Sequence, residues 1–286
     1  MKFNATTAAA AAGLALSATA MAQNTGAVLN DGNARYQLGS STLGTGTLNT
    51  SATTTGGGPT IDFRHTGQGT GTWGHDHIFS DWWWYRTSGD AREFAIASAT
   101  SRTTFGTNGI EYGYNLSGGL TGRLTITVTD MGSNAARVDR SWVISNPGTA
   151  DMSLSMFHFI DLFLNNQDAN DVANLTNPND RMLVTDSANA AVSLDWWGVG
   201  AAAASAGGFS TVRGQFTDAD IDNLNNTTFP AGPADIGGAF QWNLVVPAGG
   251  SVSLMSSTGL NTPAIPAPGA LALVGLGGLI GGRRRR

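Results

Sequence analysis

The chain has 286 residues, of which 39 are glycine, none is cysteine and only 12% are charged. That composition excludes disulfides, thiolate metal centres and cysteine nucleophiles, and it suits a turn-rich β protein better than a helical bundle. The formal net charge is −5, but Lys2 and Arg283 to Arg286 supply five of the 15 basic residues, and the remaining ten face 20 acidic ones, leaving about −10 and no lysine between the ends; such a surface repels phosphate backbones, so no nucleic-acid partner is expected.

The first 22 residues have the three parts of a secretory signal. Lys2 gives the positive start, Ala8 to Leu16 a short apolar stretch, and Ala20-Met21-Ala22 a small-x-small cleavage site that would leave Gln23 as the mature N-terminus. Three segments follow: a signal helix over 1–22, a body over 23–262 and a tail over 263–286.

Within the body, short alternating or apolar runs are punctuated by Gly, Asn and Pro, which predicts strands joined by turns. Strands are expected at 35–38, 60–64, 94–98, 109–116, 123–130, 141–145, 152–164, 181–185 and 191–196. In 123–130, Leu124, Ile126 and Val128 alternate with threonine, so one face is buried. Asn146-Pro147-Gly148-Thr149 is a turn, and Phe157, Phe159 and Phe163 should share a core face. A short helix is expected at 218–224 behind Thr217 as its N-cap. The runs 240–246 and 251–255, around Pro247-Ala248-Gly249-Gly250, predict a hairpin. The fold class is all-β: a large antiparallel β-sandwich with long loops, flanked by the signal helix and a short C-terminal apolar helix. A jelly roll or open barrel is the alternative.

Several clusters carry possible chemistry. His75, Asp76 and His77 offer nitrogen and oxygen ligands, but a third convergent donor is missing and loop histidines are the simpler expectation. In an alternating strand Trp82 and Trp84 face one way and Trp83 and Tyr85 the other, so these four are either core on both faces or an exposed glycan platform. Trp196-Trp197 poses the same choice. Asp168, Asn170 and Asp171 lie in an oxygen-rich stretch with Asn165, Asn166 and Gln167 that could hold Ca²⁺ or serve as a solvated turn, and Asp218, Asp220 and Asp222 pose a similar question. The only glutamates are Glu93 and Glu111, and no catalytic carboxylate pair can be placed. His158, alone in an aromatic strand, is expected to be a satisfied core or rim residue. No catalytic residue and no cofactor other than Ca²⁺ is expected.

The tail opens with Pro266-Ala267-Pro268, continues as an apolar run to Gly282 and ends in Arg283, Arg284, Arg285 and Arg286. As a helix the run would span about 21 Å at about 1.5 Å per residue, short of the roughly 30 Å hydrocarbon core, and the arginines would hold its end in the cytoplasm. This layout resembles the PEP-CTERM sorting signal, with Ala267 where that motif usually has glutamate. The resemblance implies an exosortase-type processing enzyme as partner, transient inner-membrane contact, export by a bacterium with an outer membrane, and a final place at the cell surface or in the extracellular matrix, in association with exopolysaccharide and biofilm. The body loosely resembles the sandwich bodies of other such exported proteins. A non-enzymatic structural or adhesive role is the expectation; a glycan-binding module using Trp82 to Tyr85 and a secreted carbohydrate-active enzyme are the alternatives.

Overall fold

Alternation along 123–130 becomes the middle of a long antiparallel strand, β10 (Thr121–Gly132), with Leu124, Ile126 and Val128 buried and the intervening threonines half-buried. The computed structural model describes residues 26–41, 44–45, 61–97, 99–176 and 180–261. The signal segment with Ala20, Ala22 and Gln23, and the tail with Pro266 to Pro268 and Arg283 to Arg286, lie outside the described residues.

Strands, numbered in chain order, form two large antiparallel sheets. The nine-stranded sheet runs β17 (Ala231–Ala234), β13 (Asp171–Thr176), β14 (Arg181–Asp186), β15 (Asn189–Val199), β19 (Ser251–Leu260), β11 (Ala135–Ser145), β10, β9 (Gly109–Asn115) and β8 (Ser101–Phe105). The five-stranded sheet runs β16 (Ala203–Gly208), β18 (Ile236–Val246), β12 (Met152–Leu162), β6 (Ile78–Thr87) and β7 (Phe94–Ala95). A smaller sheet of β1 (Ala27–Asp31), β2 (Ala34–Leu38) and β5 (Ile61–His65) sits beside β6 and against β10 and β11, and β3 (Ser40–Ser41) pairs with β4 (Gly44–Thr45).

The inner faces of the two large sheets interlock through aromatic rings. Trp83 of β6 meets Trp142 of β11 edge-on at 5.9 Å, and Trp196 of β15 meets Phe240 of β18 at 4.8 Å. Such offset and edge contacts are favoured by the ring quadrupole over face-to-face stacking. Gly238 makes room for this approach, since a Cβ there would lie 2.9 Å from the Trp196 ring and 3.1 Å from the Met182 sulfur. The expected antiparallel β-sandwich is therefore the fold.

Two expectations within it fail. The runs flanking Pro247 to Gly250 do not form a hairpin: β18 pairs with β12 and β16 in one sheet, while β19 pairs with β11 and β15 in the other. The turn at 146–149 likewise carries the chain from β11 to β12 between the sheets. The two crossings are tied together, with Asn146 N donating to Gly250 O at 2.9 Å, Gly249 N to Gly148 O at 3.1 Å, and the Asn146 amide to Val246 O at 3.1 Å. Each turn thus satisfies the other's backbone, which a lone hairpin would not need.

The helix is also displaced. It is α1 (Phe209–Thr217), so Thr217 is its last residue, not its N-cap. Val212 and Phe216 are buried and Phe209 packs near them at the i, i+3, i+7 spacing of one helical face. Asp218 turns the chain out of the helix, its carboxylate accepting Asp220 N at 3.1 Å. An acidic cluster at a helix C-terminus is opposed by the dipole, so 218–224 does not continue the helix. The expected strand at 94–98 shrinks to two residues, and β8, β13, β16 and β17 form where no strand was expected, β8, β16 and β17 at sheet edges.

Candidate functional site

The tryptophan triplet is buried on both faces. Trp82, Trp83 and Trp84 are each 1% exposed and Tyr85 is buried as well, so these four residues present no glycan platform. The cause is the two-sided cover: Trp83 packs on the nine-stranded sheet, whereas Trp84 lies under α1, 5.6 Å from Phe216, and Trp82 Nε1 donates to Ile96 O at 2.7 Å. Phe157 and Phe159 share the α1-covered face, but Phe163 leaves it to pack on Phe79 at 5.9 Å. Trp196 and Trp197 are core too, the latter under the Arg181 guanidinium. Tryptophan emission of the native chain is expected to be blue-shifted and unchanged by added glycans; a red-shifted, titratable emission would restore an exposed platform.

Between the sheets lies a charged network assembled from four strands and β2. Asp81 (β6) accepts Tyr36 Oη at 2.9 Å and pairs with Arg140 (β11), and His158 Nε2 (β12) lies 2.7 Å from its other oxygen. His158 Nδ1 lies 2.8 Å from Ser256 Oγ (β19), which accepts Trp196 Nε1 at 2.8 Å, and Arg140 also donates to Thr258 Oγ1 at 3.0 Å. Burial alone would raise the Asp81 carboxyl, but Arg140 and then His158 hold it below the ordinary aspartate range. Burial pushes His158 down to about 4 despite Asp81, so the ring is neutral, donating from Nε2 and accepting from the serine at Nδ1.

The order serine, histidine, aspartate is that of a hydrolytic relay. Its setting is not. Asp81, Arg140, His158 and Ser256 are all 2% exposed or less, Trp83 stacks on the imidazole at 4.2 Å, and Ser256 Oγ is already an acceptor for Trp196. A carbonyl substrate has no path to this oxygen. The network is an inter-sheet clasp, and His158 is the satisfied core histidine that its aromatic strand suggests.

The His-Asp-His motif is also structural. One carboxylate oxygen of Asp76 accepts the backbone N–H groups of Phe63, His77 and Ile78 at 2.9, 2.8 and 3.3 Å, stapling β5 to the start of β6. His75 Nδ1 meets Asn165 Oδ1 at 2.6 Å, and His77 Nδ1 accepts Asn165 N at 3.2 Å. The two imidazoles therefore clamp a residue with φ of 60°, a left-handed conformation that asparagine tolerates. Burial pushes His77 down to about 3, so it is uncharged.

The oxygen-rich stretch divides between a sheet and an exposed loop. Asp171 opens β13 and is buried, Asp168 is exposed, and Asn170 spends its backbone carbonyl on Ser187 N at 2.8 Å. Among the described residues no three His, Cys, Asp or Glu side chains are arranged to hold a metal ion.

Asp168 instead joins two carboxylates that sequence reasoning missed. A cavity of about 170 Å³ at the end of the five-stranded sheet is lined by Asp161, Asp168 and Asp235 together with Phe79, Phe163 and Phe209. Asp161 sits near the end of β12, opposite Gly237 of β18, on the α1-covered face that carries Phe157 and Phe159. Gly237 lets the first turn of α1 close over this end, since a Cβ there would lie 3.2 Å from the Phe209 Cα. Asp161 is buried, Asp168 and Asp235 are exposed at the mouth, and Phe79 is 48% exposed. Burial, then the charge of Asp235, pushes the Asp161 carboxyl up to about 8, with Arg213 opposing. Asp171, whose charge is felt by Asp161, is pushed up to about 7 by burial and by Asp186, Asp235 and Asp168, the nearby Leu164 amide offsetting this only in part.

A wider open groove of about 310 Å³ lies on the uncovered half of the same sheet, lined by Arg86, Thr87, Ser153, Ser155, Asn243 and Val245 among others. Its polar groups are mutually paired: Ser155 with Asn243 at 3.0 Å, Gln241 with Asn243 at 2.8 Å, and Arg86 with Glu93 and the Asp222 carbonyl.

No protein-family model matches the chain, and no curated protein matches its sequence. Among solved structures, the chain is similar to a bacterial glucoamylase complexed with acarbose, at 10% identity and a TM-score of 0.49 over 88% of this chain and 34% of that one. It is also similar to a polysaccharide lyase, at 10% identity and a TM-score of 0.42 over 82% and 34%. The chain spans about a third of the length of each. The chemistry of the cavity and of the clasp rests on this chain's own residues.

Proposed function

We propose that the protein is an exported β-sandwich displayed at the cell surface or in the extracellular matrix, with a structural or adhesive role and no catalysis. The observation that carries the non-catalytic part is the sealing of Ser256, His158 and Asp81 inside the sandwich, where the one relay-like arrangement of the described residues holds two sheets together. The sorting part rests on the signal-like N-terminus and on the resemblance of residues 266–286 to a PEP-CTERM tail, which brings with it an exosortase-type enzyme and transient contact with the inner membrane. An acidic, lysine-free body matches contact with neutral or cationic matrix components better than with nucleic acid.

The test is mass analysis of the native protein from cell envelope and medium. A chain beginning at Gln23 and ending near Pro266 is expected, and deleting residues 263–286 is expected to change its distribution between envelope and medium. Retention of Arg283 to Arg286 together with an unchanged distribution would overturn sorting. Release of reducing sugar from matrix polysaccharide by the purified chain would overturn the non-catalytic reading. A second reading, glycan binding, is favoured by the phenylalanine-rimmed acidic cavity rather than by the tryptophans.

A further inference from the structure

Three features of the cavity at the end of the five-stranded sheet point to a ligand. First, its charge is one-sided: Asp161, Asp168 and Asp235 line it, the charges of Asp171 and Asp186 add to theirs, and Arg213 is the cation that opposes them at Asp161. Second, Asp171 is 0% exposed and neither of its carboxylate oxygens makes a hydrogen bond of normal geometry, the Leu164 N–H being the donor that stands near, which for a buried acid is costly. Its place in β13 opposite Ala234 sets it beside Asp235, and the carboxylates acting on it include the cavity's own Asp168 and Asp235. Third, the mouth carries an aromatic pair beside its carboxylates: Phe79 and Phe163 meet at 5.9 Å with planes tilted by 58°, and Phe79 is half in solvent.

A divalent ion does not answer this arrangement, because the carboxylates are not gathered as a ligand set. An ammonium group does, since it donates three hydrogen bonds in different directions and is drawn to aromatic faces as well as to carboxylates. Three lining carboxylates present more acceptor oxygens than one ammonium can fill. The remainder call for hydroxyl donors on the same ligand, and the phenylalanines call for an apolar ring face. A lysine stem supplies neither. We propose that the cavity lined by Asp161, Asp168, Asp235, Phe79 and Phe163 binds a non-acetylated amino-sugar residue, its ammonium between the carboxylates and its ring against Phe79.

This site does not depend on how the tail is processed, and it is tested on the purified chain. Calorimetric titration with a β-linked glucosamine oligomer is expected to show binding, weakened at least tenfold for the N-acetylated oligomer, which has lost the cation. Asp235→Asn and Phe79→Ala should each weaken glucosamine binding at least tenfold. Asp220→Asn, which removes an exposed charge from the turn after α1, should leave it unchanged and so separates the cavity from general attraction to an acidic body. Equal binding of acetylated and free-amine oligomers, or equal loss for Asp220→Asn and Asp235→Asn, would overturn the site. A lysine oligomer that competes as strongly as the glucosamine oligomer would assign the cavity to basic peptides and overturn the sugar. None of these outcomes bears on sorting, which the chain termini report separately.

Discussion

Arg140→Met is expected to destabilise the protein by about 3–5 kcal/mol, the largest effect of any single change considered, because it leaves the Asp81 carboxylate buried without its guanidinium. Tyr36 and His158 still donate to Asp81, but both are neutral, and neither replaces a full charge held in a dry interior. Asp81→Asn alone should also be costly, since it strands Arg140 among Thr258, Val138 O and Tyr36. Combining the two substitutions removes both charges, and the double variant should be markedly more stable than the sum of the single losses predicts. Urea unfolding of the four proteins measures this coupling directly. Strict additivity would mean that Asp81 and Arg140 do not act as a unit and that the clasp is held by packing alone. Ser256→Ala, which leaves the buried Trp196 Nε1 and His158 Nδ1 without their partner, should cost about 2–3 kcal/mol.

The clasp shows what a one-dimensional pattern conveys and what it omits. Long strands were legible wherever one face is apolar and the next polar, as in 123–130, and the tryptophans of 82–84 could be assigned to opposite faces by parity alone. Pairing was not legible. Asp81, Arg140, His158 and Ser256 are far apart in the chain and meet only because β6 pairs with β12 and β11 with β19, while the two sheets stack. One trace was available: Ser256, Ser257 and Thr258 are a polar run inside a strand that must be buried, which demands polar partners. The cavity left a similar trace. Asp161 continues the outward parity of Phe157 and Phe159, and an acid on an aromatic stripe is out of place unless it serves a site. Asp168 drew attention as a possible Ca²⁺ ligand, but Asp161 and Asp235 become its companions through the register of Asp161 with Gly237 and of Asp171 with Ala234. The hairpin failed for the same reason: a turn signal states that the chain reverses, and leaves open which sheet receives it.

Raising the pH from 6.5 to 8 is expected to lower stability by about 2 kcal/mol, opposite to the direction set by the buried histidines. His158 and His77, pushed down to about 4 and about 3, bind fewer protons folded than unfolded between those values and about 6.5, so their contribution falls as the medium is acidified through that range. Asp161 and Asp171, pushed up to about 8 and about 7, bind more protons folded than unfolded above the ordinary aspartate range, so their contribution is lost as pH rises. Two positive and two negative slopes of about 1.4 kcal/mol per pH unit each cancel between about pH 4 and 6.5, giving a plateau. Above it the histidines are neutral in both states, and of these four groups only the acids still contribute, Asp171 until about 7 and Asp161 until about 8, while Asp76, which burial pushes well above the ordinary aspartate range, acts with the same sign. The groups facing Asp161 are Asp235, Arg213, Asp171 and Asp168. Asp161→Asn should remove most of the alkaline decline and tilt the plateau, so that the variant loses stability on acidification from 6.5 to 4, where two histidines then oppose one aspartate. Urea midpoints of both proteins from pH 4 to 8 decide it. Parallel profiles would show that Asp161 is ionised in the folded chain at neutral pH, and that the cavity offers a fixed negative charge rather than a proton that a cationic ligand must displace.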